Sequence, residues 1–223
     1  MKKIEYKKRK KLHLQKLKKI LKISWKNGWF CYKNRKVIQK VASKNYNERP
    51  QKTDLTLIVI HNISLPPNNF ENKWVEKFFQ NKLLPKNNVY KKRALIKKYP
   101  YFATIAEQEV SSHFYIRRSG KIIQFVSIKK RAWHAGKSMF LNTENCNNFS
   151  IGIELSGSDF LPFSIWQYYS LRKLIFSLKR CFKNLQFISG HSDIAPQRKT
   201  DPGKYFYWQN LQEVLAKTNI KKP

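Results

Sequence analysis

A short run of apolar, mostly β-branched residues that ends on a histidine constrains the fold more than any other segment of the chain. The run spans residues 55–60 (Leu-Thr-Leu-Ile-Val-Ile), and His61 follows it directly. A continuous run of this kind predicts a strand buried on both faces, as in parallel sheets that are covered by helices. Functional side chains gather where such rigid elements end. We therefore expect His61 to lie at a site on the edge of a buried sheet.

The segments that follow alternate between strand and helix patterns. A hairpin is predicted across residues 111–126, with its turn at Arg118-Ser119-Gly120, and a further strand across 149–155. Apolar spacing predicts a helix between Ser164 and Phe182, with Ser164 as its N-cap, and a short strand at 186–189 leads into Gly190-His191. This order predicts an α/β fold, with a central mixed β-sheet flanked by helices and the site at strand ends.

The chain divides by composition into a basic extension and one domain. Residues 1–24 are predicted to be a flexible basic extension, since eleven Lys or Arg occur up to Lys22. Residues 25–223 are enough for a single domain with its own core. Within that domain we expect a helix across residues 69–84, stopped by Pro85, and an exposed lysine-rich insertion near 86–98.

The formal net charge of +33 would attract nucleic acid or anionic surfaces. However, lysine is spread along the whole chain together with Asn, Ile, Phe and Tyr, a pattern that A/T-rich codon usage also gives. No recognised nucleic-acid motif accompanies the charge, and Trp and Tyr lie within core-like patterns. We expect no specific nucleic-acid partner, only nonspecific binding that salt weakens.

Three features bear on the compartment. No run approaches the ~20 apolar residues of a membrane span. Lysines interrupt the stretch from Leu12 to Ile23, which makes it a poor export signal. The three cysteines are far apart and form no CxxC pair, which argues against a disulfide framework. The sequence therefore predicts a cytoplasmic protein with reduced thiols and no membrane span, and a monomer because no oligomerisation stripe is evident.

Three metal-competent side chains stand where the local pattern fixes the backbone. They are His61, His191 in Gly-His-Ser-Asp, and Asp201 in Lys-Thr-Asp-Pro-Gly, and Glu154 lies on a predicted strand. Two imidazoles and a carboxylate are a common catalytic zinc set, with the fourth position left for water. A histidine at a strand end is also often structural, and Asp-Pro-Gly is often only a turn. Spacing alone leaves both interpretations open.

Six stretches resemble, in the same order, the AmpD type of N-acetylmuramoyl-L-alanine amidase, and the resemblance runs from about Gly28 to Trp208. They are IHNISLPP at 60–67, SH at 112–113, RAWHAG at 131–136, CNNFSIGIEL at 146–155, GHSDIAP at 190–196 and RKTDPG at 198–203. The resemblance implies a cytoplasmic enzyme of cell-wall recycling. Its substrate would be a muropeptide, cut between the lactyl carbonyl of 1,6-anhydro-N-acetylmuramic acid and L-alanine.

The resemblance also implies roles for five residues. His61, His191 and Asp201 match zinc ligands, Glu154 the catalytic acidic residue and Lys199 the catalytic basic residue. The chemistry agrees: zinc lowers the pKa of water toward ~7. A nearby carboxylate can carry a proton to the leaving amine, and a fixed cation can stabilise the charge that develops on the carbonyl oxygen.

Four further residues are predicted to line the substrate cleft: Asn62, Trp133, His134 and Ala195. His113 is more typical of a buried structural histidine, and Cys146 of a buried thiol. 

The chain departs from the family pattern at two positions. Glu109 and Asn145 stand where arginine is expected, and arginine suits substrate carboxylates. Arg117, Arg118 or the lysines of 86–98 are the candidates to replace them. Two alternatives stay open: a peptidoglycan-binding module without catalysis, which the complete ligand set disfavours, and an amidase of intact murein outside the cytoplasm, which the lack of an export signal disfavours.

Overall fold

The computed structural model describes residues 23–24, 27–30, 38–70 and 72–223. The strands in these residues are β1 (Ile23–Ser24), β2 (Trp29–Phe30), β3 (Ile38–Lys40), β4 (Tyr46–Glu48), β5 (Leu57–Ile63), β6 (Phe114–Ile116), β7 (Ile122–Gln124), β8 (Lys130–Ala132), β9 (Met139–Phe140), β10 (Thr143–Glu144), β11 (Ser150–Ser156) and β12 (Phe187–Gly190). The helices are α1 (Trp74–Phe79), α2 (Val89–Lys98), α3 (Tyr101–Ile105), α4 (Ile165–Cys181), α5 (His191–Ile194) and α6 (Gln212–Thr218), with 3-10 turns at Cys146–Asn148 and Trp208–Leu211.

A six-stranded mixed sheet forms the centre, in the order β12-β5-β11-β6-β7-β3. The strands β12, β5, β11 and β6 run parallel, β6 and β7 form the antiparallel hairpin, and β3 lies parallel to β7. The pairs β1–β2, β4–β8 and β9–β10 are antiparallel and separate from this sheet. The mixed α/β fold expected from the sequence is therefore confirmed.

The central strand β5 divides its side chains between two cores. Ile58 and Ile60 join a cluster with residues of α4 and α6, whereas Leu57 and Val59 join a second cluster on the opposite face. Since side chains alternate along a strand, His61 belongs to the second face. The site therefore lies on the face of the sheet that α4 does not cover.

Helix α4 begins where the sequence indicates. The Ser164 hydroxyl accepts from the backbone N–H of Gln167, and the Gln167 side chain accepts from the N–H of Ser164, so both ends of a capping box are present. Leu171, Leu174 and Ile175 are fully buried against the sheet. Burial of each such side chain contributes about 1.5–3 kcal/mol.

The helix expected across residues 69–84 is shorter in the structure. It begins at Trp74, whose N–H donates to the side chain of Asn72, and it ends before Asn81, which has a φ of +57°. The Asn72 side chain forms a local turn just before the helix, and the left-handed backbone of Asn81 prevents the helix from continuing. The apolar spacing alone does not indicate where this helix begins and ends.

The lysine-rich insertion holds α2, in which no side chain is buried. The basic extension lies outside the described residues up to residue 22, and Ile23–Ser24 pairs with β2. The domain boundaries accordingly stay a prediction. Among the described residues, no helix has the length and apolar character needed to cross a membrane.

Candidate active site

Three side chains from distant segments meet at one point. The Nδ1 atoms of His61 and His191 lie 3.0 Å apart, and Oδ2 of Asp201 is 3.1 Å from the first and 3.0 Å from the second. Both histidines are buried. Together with Asp201, they form the one group of metal-competent residues found in the described part of the chain.

The protonation of the two imidazole rings bears on what this group can hold. Nε2 of His191 is 3.1 Å from the carbonyl oxygen of Ala135, which can only accept, so the ring proton sits on Nε2 and Nδ1 is bare. Burial, followed by the neighbouring His191, lowers the pKa of His61 to about 4, which keeps this ring neutral at pH 7. The bare Nδ1 of His191 and the carboxylate oxygen of Asp201, 3.0 Å apart, repel each other unless a cation lies between them. The group therefore fits Zn²⁺, for which two histidines and one carboxylate are a usual set.

Local structure brings these residues together. His191 is the first residue of α5, directly after β12, and β12 pairs in parallel with β5. The N–H of Ser192 donates to the backbone carbonyl of Asp201 over 2.8 Å, so the turn that carries Asp201 is fixed to the start of α5.

Glu154 lies beside His61 on the neighbouring strand, as its partner in the register of β11 and β5. Its side chain is buried, and Oε2 has no hydrogen-bond partner among the described residues. Burial, then the charge of Asp201, raises the pKa of Glu154 well above its usual range, and Lys199 partly opposes the shift. A buried carboxyl with a free oxygen is suited to holding or passing a proton.

Lys199 stands in an exposed turn between α5 and Asp201. Its backbone N–H donates to the carbonyl of Ala195 over 3.1 Å, and its positive charge acts on Glu154 and on His61. Lys199 is therefore an exposed cation whose charge reaches the candidate metal group.

The short segment His134-Ala135 contacts the Nε2 atoms of both ligand histidines. Nδ1 of His134 lies 3.0 Å from Nε2 of His61, and the carbonyl of the next residue, Ala135, faces Nε2 of His191. Buried Asn147 accepts from the backbone N–H groups of both His134 and Ala135, at 3.1 and 2.9 Å. The sequence analysis did not identify Asn147, although it stands inside the CNNFSIGIEL stretch.

A second bridge spans the outer side of the site. Oδ1 of Asp159 accepts from Nδ2 of Asn62 over 2.7 Å, and its Oδ2 accepts from the hydroxyl of Thr200. These partners directly follow His61 and directly precede Asp201. Asp159 thus joins two ligand-bearing segments, and the sequence carried no signal for it because its partners are remote in the chain.

The remaining predicted contacts occupy varied positions. Trp133 donates its indole N–H to Asn47, and Ala195 is buried, with its carbonyl capping the turn to Lys199. His113 is fully buried, and its Nδ1 accepts from the N–H of Gly152 over 3.1 Å, so it is a structural histidine, as its pattern indicated. The substrate-binding roles assigned to Asn62, Trp133, His134 and Ala195 stay predictions.

The two departures from the family pattern are both exposed. Asn145 has a φ of +58°, a left-handed conformation that asparagine tolerates better than arginine does. Two of the proposed replacements have partners elsewhere: Arg117 pairs with buried Glu76, and Arg118 donates to the carbonyl of Pro162. 

Comparison with known proteins gives concordant results. The profile of the family described as N-acetylmuramoyl-L-alanine amidase matches residues 51–204. The 1,6-anhydro-N-acetylmuramyl-L-alanine amidase AmpD of Haemophilus influenzae is 44% identical over 173 residues, covering 77% of this chain and 88% of that protein. AmpD of Escherichia coli is 42% identical over 180 residues, covering 80% and 92%. A crystal structure of a selenomethionine AmpD derivative superposes with a TM-score of 0.75 at 38% identity, covering 87% of this chain and 99% of the other.

Proposed function

The chain belongs to the N-acetylmuramoyl-L-alanine amidase family, and on that premise we propose that it hydrolyses the amide bond between the lactyl group of 1,6-anhydro-N-acetylmuramic acid and L-alanine in muropeptides. This is a reaction of cell-wall recycling. The relatives at about 40% identity are 1,6-anhydro-N-acetylmuramyl-L-alanine amidases, and the chain spans most of their length.

The observation that carries the proposal is the convergence of His61 Nδ1, His191 Nδ1 and Asp201 Oδ2 within 3.1 Å. We assign these three atoms as ligands of a Zn²⁺ cofactor. When bound, zinc would lower the pKa of a water molecule and polarise the carbonyl of the scissile amide. Three protein ligands would leave room at the metal for that water.

Glu154 is the proposed acid and base. Amide hydrolysis requires that the attacking water lose a proton and that the leaving nitrogen of L-alanine gain one. The free Oε2 of Glu154 is buried next to a ligand histidine, where it can take the first proton and deliver it to the amine. The raised pKa of this carboxyl, caused mainly by burial, makes it a stronger base toward the attacking water, and it can then give the proton to the nitrogen as the C–N bond breaks.

Lys199 is the proposed electrostatic partner. Negative charge builds up on the carbonyl oxygen as the amide is attacked, and a fixed cation nearby stabilises that charge more than it stabilises the ground state. The effect of Lys199 on the pKa of Glu154 supports a position close to the reacting groups. Asn62, whose Nδ2 donates to Asp159, is the proposed contact for substrate through its Oδ1.

The proposal is tested by measuring zinc content together with release of peptide from anhydro-N-acetylmuramoyl-tripeptide. We expect one zinc per chain and release by the native protein, and retained zinc without release for Glu154→Ala. Zinc without release in the native protein would indicate a binding module instead, with Glu109 and Asn145 the first positions to restore to arginine.

A comparison of substrates addresses the alternative of intact murein. The proposed enzyme releases peptide from soluble anhydro-muropeptides far faster than from insoluble murein sacculi. Faster cleavage of sacculi would contradict the recycling role. The cytoplasmic location and the monomeric state expected from the sequence stay predictions, which cell fractionation and sedimentation can check.

A further inference from the structure

The outward nitrogen of His61 begins a chain of hydrogen bonds that ends at a backbone carbonyl. Nε2 of His61 lies 3.0 Å from Nδ1 of His134, and Nε2 of His134 lies 3.2 Å from the hydroxyl of Ser150. That hydroxyl donates to the carbonyl of Cys146 over 2.5 Å. His61, His134 and Ser150 come from three different segments of the fold, and Cys146 lies just before Ser150.

The direction of this chain is fixed at its far end. A carbonyl oxygen only accepts, so the Ser150 hydroxyl points its proton at Cys146 and uses an oxygen lone pair to accept from Nε2 of His134. His134 then carries its proton on Nε2 and has a bare Nδ1. Nε2 of His61 must donate to that bare nitrogen, which leaves Nδ1 of His61 free to face the metal group.

The ring of His134 is held in place by two features. Asn147 fixes its backbone, as described above. In addition, the ring lies against Gly152 so closely that a Cβ at this position would be 2.5 to 2.7 Å from three of its atoms, which are the three nearest heavy atoms. Glycine contributes no side chain to the packing of a strand. Its presence at position 152 is explained by the space that the ring of His134 occupies.

We propose that His134 is a positioning residue of the metal centre, which holds His61 in the tautomer and ring orientation required for Nδ1 to bind zinc. This inference rests on the proposed zinc site. It assigns His134 a different part from substrate binding, because both ring nitrogens are engaged by the protein. Partners of this kind typically change metal affinity 10- to 100-fold when removed.

The test compares two replacements of His134 that differ in their ability to accept a hydrogen bond. His134→Leu fills similar space without an acceptor, and His134→Asn places Oδ1 near the former position of Nδ1. Zinc affinity is measured by competition with a chelator, and the visible spectrum of the Co²⁺-substituted protein reports the ligand geometry. We expect His134→Leu to lose at least tenfold in zinc affinity with an altered Co²⁺ spectrum, and His134→Asn to recover most of both.

Gly152→Ala tests the same idea without altering the histidine. The added methyl group displaces the ring, so zinc affinity should fall in the native background. In a His134→Ala background the methyl group finds space, so Gly152→Ala should cost much less there. This non-additivity is the expected sign of a shared mechanism.

The outcomes separate the inference from the proposed function. A native chain that binds no zinc contradicts both. Normal zinc affinity in His134→Leu, with a raised KM for anhydro-N-acetylmuramoyl-tripeptide at saturating zinc, overturns only the positioning role and supports substrate contact. Equal losses in the Leu and Asn variants, with additive effects of Gly152→Ala, would also overturn it, since they indicate packing rather than hydrogen bonding.

Discussion

Glu154 and His61 are direct neighbours across two parallel strands, β11 and β5. Both side chains point to the face of the sheet that α4 does not cover. The distance between the proposed acid-base group and a proposed metal ligand is therefore set by the hydrogen-bonded ladder of the sheet core and not by a loop. This arrangement lets each role be removed separately by mutation.

Glu154→Gln should retain zinc and lose activity. Glutamine keeps the shape of the side chain but cannot accept the proton from water and return it to the amine. We expect kcat to fall by about 10²- to 10⁴-fold, with KM nearly unchanged. Glu144→Gln, at an exposed carboxylate ten positions earlier, is the matched control and should keep full activity. Loss of zinc from Glu154→Gln would contradict the separation of roles.

The strands and the start of α4 follow from local sequence signals. The continuous apolar run before His61 reports burial on both faces, and the Ser164 capping box reports the start of α4 within one residue. Both signals depend only on residues that are close in the chain, so they can be recognised in a single sequence. The family motifs then identify which polar residues meet.

The supports behind the ligands could not be predicted in the same way. Asn147 and Asp159 act through partners 12 to 97 positions away, which only the folded chain brings close. Gly152 gave a visible anomaly, a glycine within a buried strand, but its cause lies in the ring of His134. The pairing of Arg117 with Glu76 likewise depends on tertiary structure.

Zinc should stabilise the folded protein, and chelation should reverse the effect. Because the ligands are assembled only in the native state, zinc at about 100 times its Kd should add roughly 2.7 kcal/mol to the free energy of unfolding. We expect Tm to rise with added zinc in the native chain and to be unaffected in His191→Ala. An equal rise in Tm for this variant would show that zinc binds elsewhere.

Asp159→Ala should loosen the turn that carries Asp201. The change removes the hydrogen bonds to Asn62 and Thr200, so we expect zinc affinity to fall about tenfold with a small loss of stability. Thr200→Val removes one of the same bonds, and combining both variants should add little to Asp159→Ala alone. Fully additive effects on zinc affinity, measured by chelator competition, would argue against a common bridge.

Arg49→Met should be strongly destabilising, because its guanidinium is bonded to several buried backbone carbonyls. The guanidinium donates to the carbonyls of Ile128, Asn147, Asn148 and Ser150, and burial lowers its pKa to about 9. Removing it leaves several of these acceptors unpaired, at a cost of about 3 kcal/mol in the free energy of unfolding. Urea denaturation measures this loss, and Arg49→Lys should recover little of it because one ammonium cannot reach the same acceptors. Full stability in the lysine variant would contradict the account.

Lys173→Met should stabilise the protein at neutral pH, by an amount that shrinks as the pH rises. Burial lowers the pKa of Lys173 to about 8, and its Nζ has no hydrogen-bond partner among the described residues. Between pH 8 and the ordinary pKa of lysine, the unfolded chain binds more protons at this residue than the native protein does. The native protein therefore gains stability as the pH rises through this range. Methionine removes the buried charge, with an expected gain of about 1 kcal/mol at pH 7, because partial exposure screens the effect.

Lys179→Met is the control: its Nζ donates to the carbonyls of Lys183 and Leu185 at 2.8 and 2.9 Å, so this variant should be less stable. Urea denaturation from pH 7 to 10 measures both, and a constant difference for Lys173→Met would show that its charge is not the cause.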